Sequence, residues 1–187
     1  MNRFHRWFCR TEHWKRRLGG ELLPWALRDV NLGDDILEIG PGPGLATDIL
    51  RRRFAQITSL ELDPQLAADL KERLKDTNVR VVEGDGTRMP FPDASFSGAA
   101  CFTMLHHIPR TELQDQLFRE ACRVLRPGAT FVATDSRPSL TMKLIHIGDT
   151  MVLIDPDTIQ IRLEKAGFHE VVVELGMGAL RFHARRP

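Results

Sequence analysis

Tyrosine is absent from this 187-residue chain, and cysteine occurs only three times, at Cys9, Cys101 and Cys122. The missing tyrosine has no physical cause that the sequence discloses. Three cysteines, odd in number and widely spaced, exclude a disulfide framework and a C-x-x-C metal site, so no metal is expected. Charge of one sign is also lacking: the net charge is +1. That removes any global argument for nucleic acid or an anionic membrane as partner. No apolar run approaches the ~20 residues that cross a bilayer. The first residues are basic and aromatic rather than signal-like. A cytoplasmic location is therefore expected. What is present, 42% hydrophobic and 27% charged residues, is ordinary for one soluble globular domain.

The most informative stretch runs from Ile36 to Gly44, Ile-Leu-Glu-Ile-Gly-Pro-Gly-Pro-Gly. It opens as a short apolar run of strand length and closes in a loop with glycine at every second position. The amphipathic segment Leu45 to Arg53 follows. Strand, glycine turn and helix form the usual cradle for a nucleotide-type cofactor. Glycine admits positive φ and lets a ligand approach without a Cβ in the way. Glu38, just before the loop, repels phosphate and attracts a cation.

Residues 1–17 interleave Arg3, Arg6, Arg10, Lys15, Arg16 and Arg17 with Phe4, Trp7, Phe8 and Trp14. This arm reads either as a membrane- or nucleic-acid-directed segment or as a helix laying its aromatics on the domain. The balanced overall charge favours the second. Gly19-Gly20 breaks the arm, and Glu21 to Val30 forms a second helix with Pro24 in its first turn. The expected organisation is a helical arm or lid over residues 1–30 and a cofactor-binding domain over 31–187.

Beyond the glycine loop, Gln56 to Leu62 reads as a strand, and Asp63-Pro64 as the cap and first residue of a helix. Val79 to Glu83 and Phe96 to Thr103 are further strands. Thr111 and Gln114 form a T-x-x-Q capping box for a helix that stops at Arg126-Pro127-Gly128. Ala129 to Asp135 is a fifth strand. Met142 to Ile147 and Met151 to Ile154 are apolar and of short-helix length. Asp155-Pro156 caps another helix, ending at Gly167. Glu170 to Leu175 and Ala179 to Ala184 flank Gly176-Met177-Gly178 in a hairpin. Strands alternating with helices predict an α/β fold, Rossmann-like and doubly wound. Its seven-stranded sheet is mostly parallel with an antiparallel last strand.

Right-handed crossovers place the loops after the first four strands along one sheet edge. Glu38, Gly40, Pro41, Gly42, Gly44, Glu61, Leu62, Asp85, Gly86, Phe102 and Thr103 converge there as candidate cofactor residues. Glu61 offers two acceptor oxygens to the vicinal hydroxyls of a ribose. Asp85 can accept from the exocyclic amine of a base. Leu62, with Met89 or Phe91, can sandwich an adenine. Each acid also has a plain structural role open to it, Asp85 as an Asx-turn residue for example. No Arg or Lys stands in the glycine loop. The ligand implied is a nucleoside with a positive, non-phosphorylated tail.

With those residues in place, the chain resembles class I S-adenosylmethionine-dependent methyltransferases, of the type 11 small-molecule kind that includes ubiquinone and menaquinone enzymes. Glu38 through Gly44 matches E-x-G-x-G-x-G, Glu61 the ribose acid, and Asp85 the adenine acid. Pro90 to Phe96, Leu105-His106-His107-Ile108, and Arg119 to Gly128 are similar to the family's later stretches. The resemblance implies S-adenosyl-L-methionine as cofactor and in-line methyl transfer to a small-molecule or lipid-like acceptor. It implies no nucleic-acid substrate and leaves peripheral membrane contact to the arm. His106 and His107 are candidates either for a general base or for holding the cofactor loop. Trp7, Trp14 and Phe102 are candidate aromatic walls. Two alternatives share the architecture: a non-catalytic nucleoside-binding module, and a nicotinamide oxidoreductase. The latter needs glycine where Leu45 stands.

Overall fold

The residues of β1 (Asp35–Ile39) are buried from Ile36 onward, which is why the strand reads as a continuous apolar run. Ile36 packs into a core on one face of the sheet, Leu37 and Ile39 into a core on the other. In the computed structural model, which describes residues 11–140, 144, 148 and 150–187, β1 lies at the centre of seven strands. The others are β2 (Gln56–Glu61), β3 (Val79–Glu83), β4 (Phe96–Phe102), β5 (Leu125–Ser136), β6 (His169–Gly176) and β7 (Ala179–Arg185). Their spatial order is β3-β2-β1-β4-β5-β7-β6. All neighbours are parallel except that β7 runs antiparallel to both β5 and β6. The doubly wound sheet and its antiparallel last strand are as the sequence predicts.

Strand order reverses between β1 and β4, which pair directly. Loops leaving these two strands turn to opposite faces and open a crevice between them.

The helices are α1 (Glu12–Arg17), α2 (Leu23–Ala26), α3 (Leu45–Leu50), α4 (Pro64–Arg73), α5 (Thr111–Val124) and α6 (Ile159–Lys165). Asp63 caps α4 as expected, accepting from the backbone N–H of Gln65 and Leu66. One core gathers Phe118 of α5 with Phe131, Phe168 and Phe182. The opposite core gathers Leu22, Leu23, Leu50 and Leu70.

Several local expectations need correction. Gly19-Gly20 does not break the N-terminal helix. α1 and α2 are joined through a π-helical turn, Leu18–Leu22, in which Leu23 N–H reaches back to Leu18 O. Leu18, Leu22, Leu23 and Ala26 are all buried, and that packing outweighs the ~1 kcal/mol helix cost of each glycine. The widened turn just before Pro24 also fits a residue that has no N–H to donate. The helix ends at Ala26 rather than Val30, with Asp29 at φ 59°. There the buried Arg181 guanidinium donates to Ala26 O and Arg28 O, satisfying carbonyls the helix leaves open.

Thr111 is the first residue of α5, not its cap, and no side chain caps that end. Gln114 instead turns inward and donates to Leu105 O and Val152 O. β5 begins at Leu125, before Pro127-Gly128, because Leu125 pairs with Phe96. Asp155-Pro156 forms a turn that precedes α6, which starts only at Ile159. Met151 to Ile154 forms no helix; Val152 N–H instead donates to His106 O. The apolar stretch Met142 to Ile147 and the arm's Phe4, Trp7 and Phe8 lie outside the described residues, Leu144 excepted.

Candidate functional site

The three glycines of the loop after β1 all have positive φ, and their surroundings differ. A Cβ on Gly40 would lie 2.5 Å from Met104 Cγ, and one on Gly44 would lie 2.4 Å from Leu70 and Arg73. A Cβ on Gly42 would meet nothing within 4 Å. Met104 leaves no room for a side chain at Gly40, the left-handed backbone of Gly44, φ 83°, favours glycine, and Gly42 faces open space. Arg73 braces the loop from behind, donating to Pro43 O and to both oxygens of Asp48.

Gly42 lines a cavity of about 690 Å³ at the carboxyl ends of the strands. Glu38, Gly40, Pro41, Glu61, Leu62, Asp85, Gly86, Phe102, Thr103 and His107 line it too. Gly44 and His106 do not. The topology therefore brings together nearly all the residues picked from the sequence. The cavity's other walls include Trp14 and Leu18 from the N-terminal helix and Met104, Ile108, Leu113 and Leu117 from the far side. Among the described lining residues there is no Lys or Arg.

Glu38 is buried, and its Oε2 accepts from Thr47 Oγ1 at 2.7 Å and Ser59 Oγ at 2.8 Å. Its Oε1 is buried with no hydrogen-bond partner. Burial pushes its pKa up to about 7, against the lowering by those two hydroxyls; Asp48 and Glu61 add to the rise. Ser59 is Glu38's neighbour in the β1–β2 register.

Glu61 holds the loop rather than standing idle. Its Oε2 accepts from Gly42 N–H and its Oε1 from Asp63 N–H, both at 2.9 Å. Each carboxylate oxygen retains a second lone pair for a ligand. Asp85 is exposed and does form an Asx turn, Oδ1 accepting from Thr87 N–H at 2.8 Å. Its Oδ2 lies outside that turn.

The proposed adenine walls need revision. Leu62 is 66% exposed at the cavity rim. Met89 is buried in the core, and Phe91 packs edge-on against Phe96; neither lines the cavity. The loop that carries them is drawn away by Arg123, which bonds Met89 O, Phe91 O and Asp93. Leu117, packed close to Gly86, lines the cavity instead.

His106 and His107 sit in a 3-10 turn, Leu105–His107, after β4. The His106 ring is buried behind the cavity and pairs through Nδ1 with Asp135 at the end of β5, whose other oxygen accepts His106 N–H. His107 lines the cavity, its ring 4.3 Å from that of His106. The sequence reading missed Thr47, Ser59 and Asp135. Ser59 had left a trace as a polar residue inside an apolar strand.

Residues 37–133, 97 of the 187, match the methyltransferase domain family. The chain is a class I S-adenosylmethionine-dependent methyltransferase family member. It is 35% identical over 108 residues to a fatty-acid O-methyltransferase of Mycolicibacterium smegmatis, covering 57% of this chain and 38% of that one. It is 30% identical over 131 residues to a demethylmenaquinone methyltransferase of Tropheryma whipplei, covering 68% and 50%. The chain thus spans half or less of the length of these relatives. A solved structure from Pyrococcus horikoshii OT3 superimposes over the full length of both chains with a TM-score of 0.80 at 17% identity, a likeness of fold.

The site's chemistry fits the family's cofactor. Gly42 leaves room against the backbone, and Glu38 keeps a buried acceptor without a partner. The described lining carries carboxylates and no guanidinium or ammonium. Such a cavity suits a cationic ligand without phosphate.

Proposed function

We propose that the protein transfers a methyl group from S-adenosylmethionine to a small-molecule or lipid-like acceptor. The observation that carries this reading is the convergence of the open Gly42 backbone, Glu38, Glu61 and Asp85 on one cavity. The ligand, when bound, supplies a methyl group already activated on a sulfonium sulfur. Glu61 binds the ribose hydroxyls while keeping the glycine loop in place. Asp85, whose Oδ2 lies outside its own turn, would accept from the adenine amine. Glu38 favours the positive tail. Phe102 and Thr103, with Leu62 and Gly86, complete the walls.

The chain's remaining task is to hold the acceptor in line and dry. Positioning alone supplies up to about 7–11 kcal/mol of barrier lowering. Trp14, Leu18, Met104 and Ile108 are among the apolar residues of the cavity, a lining that suits an apolar acceptor. The names of the relatives, with fatty-acid and menaquinone acceptors, support that class. Where the acceptor is a hydroxyl, His107 takes its proton; the buried His106, tied to Asp135, positions His107 from behind. Residues 1–30 act as a lid over the domain of residues 31–187, a role supported by Trp14 and Leu18 at the cavity. Among the described residues no helix is long and apolar enough to cross a membrane. The few, widely spaced cysteines fit a reducing compartment, and we propose the cytoplasm.

Calorimetric titration with S-adenosylhomocysteine tests the reading. Saturable binding is expected; no heat and no thermal shift at millimolar ligand would overturn it. Trp14→Ala separates lid from adaptor. A lid predicts loss of methyl transfer, whereas an adaptor predicts unchanged transfer and weaker binding to vesicles.

A further inference from the structure

Glu38 combines three features that do not ordinarily coexist in a resting site. Its carboxyl group is fully buried, one oxygen is bonded by two hydroxyls, and the other has no partner. An ionised carboxylate so placed, with no cation bonded to it, is costly.

The charged and titratable groups around it do not relieve that cost. From α3 it faces Thr47 and Asp48, the latter already paired with Arg73 and Arg51. From β2 it faces Ser59 and Glu61, and from β4 the buried Cys101 thiol, whose own ionisation Glu38 opposes. Across the cavity stand Asp63, Asp85 and His107. The nearest charges are of its own sign.

We infer that Glu38 is protonated in the empty cavity and releases its proton when a positively charged ligand enters. The inference rests on reading the cavity as an S-adenosylmethionine site. The Glu38 carboxyl O–H bond breaks, the proton leaves to buffer, and the carboxylate pairs electrostatically with the ligand's positive charge. The raised ionisation of Glu38, near pH 7, agrees with the geometry. Two consequences follow. Affinity for a cationic ligand falls as pH drops through neutrality, by about tenfold between pH 8 and pH 6. Affinity for a neutral nucleoside stays flat across that range. The site therefore discriminates against its charged ligand in acid and couples ligand capture to local pH.

Calorimetry on the full chain at pH 6, in two buffers of different ionisation enthalpy, counts the released protons. S-adenosylmethionine is the charged probe and adenosine the uncharged one. At pH 6 the amino group of S-adenosylmethionine is already charged, and Glu38 should be about nine-tenths protonated. The expected result is release of close to one proton with S-adenosylmethionine, little with adenosine, and little with either in Glu38→Gln. Should that variant not fold, the side-chain carboxyl ¹³C shift of Glu38 in the native chain reads the same event. It should move from the protonated to the ionised position on adding S-adenosylmethionine. Binding without proton release, or a Glu38 signal already ionised in the empty protein, overturns the inference and leaves the functional reading intact. Failure of S-adenosylmethionine to bind at about pH 8 overturns the reading itself.

Discussion

The two halves of the cavity are built on opposite plans. Along β1, β2 and β3 the lining acids are fastened by hydrogen bonds: Glu61 by the backbone of Gly42 and Asp63, Asp85 by Thr87, Glu38 by Thr47 and the adjacent-strand Ser59. After β4 the lining is mostly apolar, and among its described residues the imidazole of His107 leans on His106, itself tied to Asp135 of β5, 29 residues away. Thr103 there takes a positive φ of 52°, its N–H bonded to Thr134 O. The first half is a preformed electrostatic cradle. The second is a shaped, mostly apolar wall with a supported imidazole. Changes in the first should act on ligand affinity and its pH dependence, and changes in the second on turnover.

The largest effect expected tests the cradle through stability. The folded pKa of Glu38, about 7, lies above its ordinary value of 4.5. A raised carboxyl group contributes stability that is fully present below about pH 4.5 and is lost as pH rises through 7. Without ligand, the native chain should lose about 3 kcal/mol between pH 4.5 and pH 8 relative to Glu38→Gln. Denaturant melts of both proteins across that range measure it. A constant difference between them would place the burial cost elsewhere.

Next comes the wall. His107→Ala should lower methyl incorporation from labelled cofactor into a hydroxyl acceptor by about 10²-fold. The affinity for S-adenosylhomocysteine should stay within about twofold, since removal of a group that acts only in the transition state leaves ground-state binding unchanged. An equal loss in affinity would erase the division between the halves.

Within the cradle, Glu61 and Asp85 differ in how much they hold. Glu61→Ala removes ligand acceptors and also strands the N–H groups of Gly42 and Asp63, so binding of S-adenosylhomocysteine should weaken by about 2–3 kcal/mol. Asp85→Ala removes an exposed acceptor whose other partner is a local turn, and should cost about 1 kcal/mol. The reverse order would mean that the loop keeps its shape without Glu61.

What was legible in the sequence divides along the same line. The β1 strand, the glycine loop and the Asp63 cap are written in consecutive residues, because turn geometry and capping act within a few positions. The β6–β7 hairpin is legible for the same reason. Gly19-Gly20 misleads, because burial of Leu18, Leu22 and Leu23 decides the helix and glycine propensity does not. Gln114 misleads likewise: its amide serves carbonyls of Leu105 and Val152 that meet only in the folded chain. The support of Glu38 by Ser59 depends on strand register, and that of His106 by Asp135 on the pairing of β4 with β5. Neither relation has a local signature.

The smallest effect belongs to Leu62, and it tests whether the rim of the cradle closes over a ligand. The side chain is 66% exposed, so its truncation removes little from the core and Leu62→Ala should leave thermal stability unchanged within about 0.5 kcal/mol. If the adenine lies against it, binding covers part of that exposed area. At roughly 25 cal/mol per Å², losing a partial covering should weaken S-adenosylhomocysteine by about 0.5–1 kcal/mol. Affinity unchanged beside a stable fold would move the adenine away from Leu62, toward the opposite wall at Gly86 and Leu117.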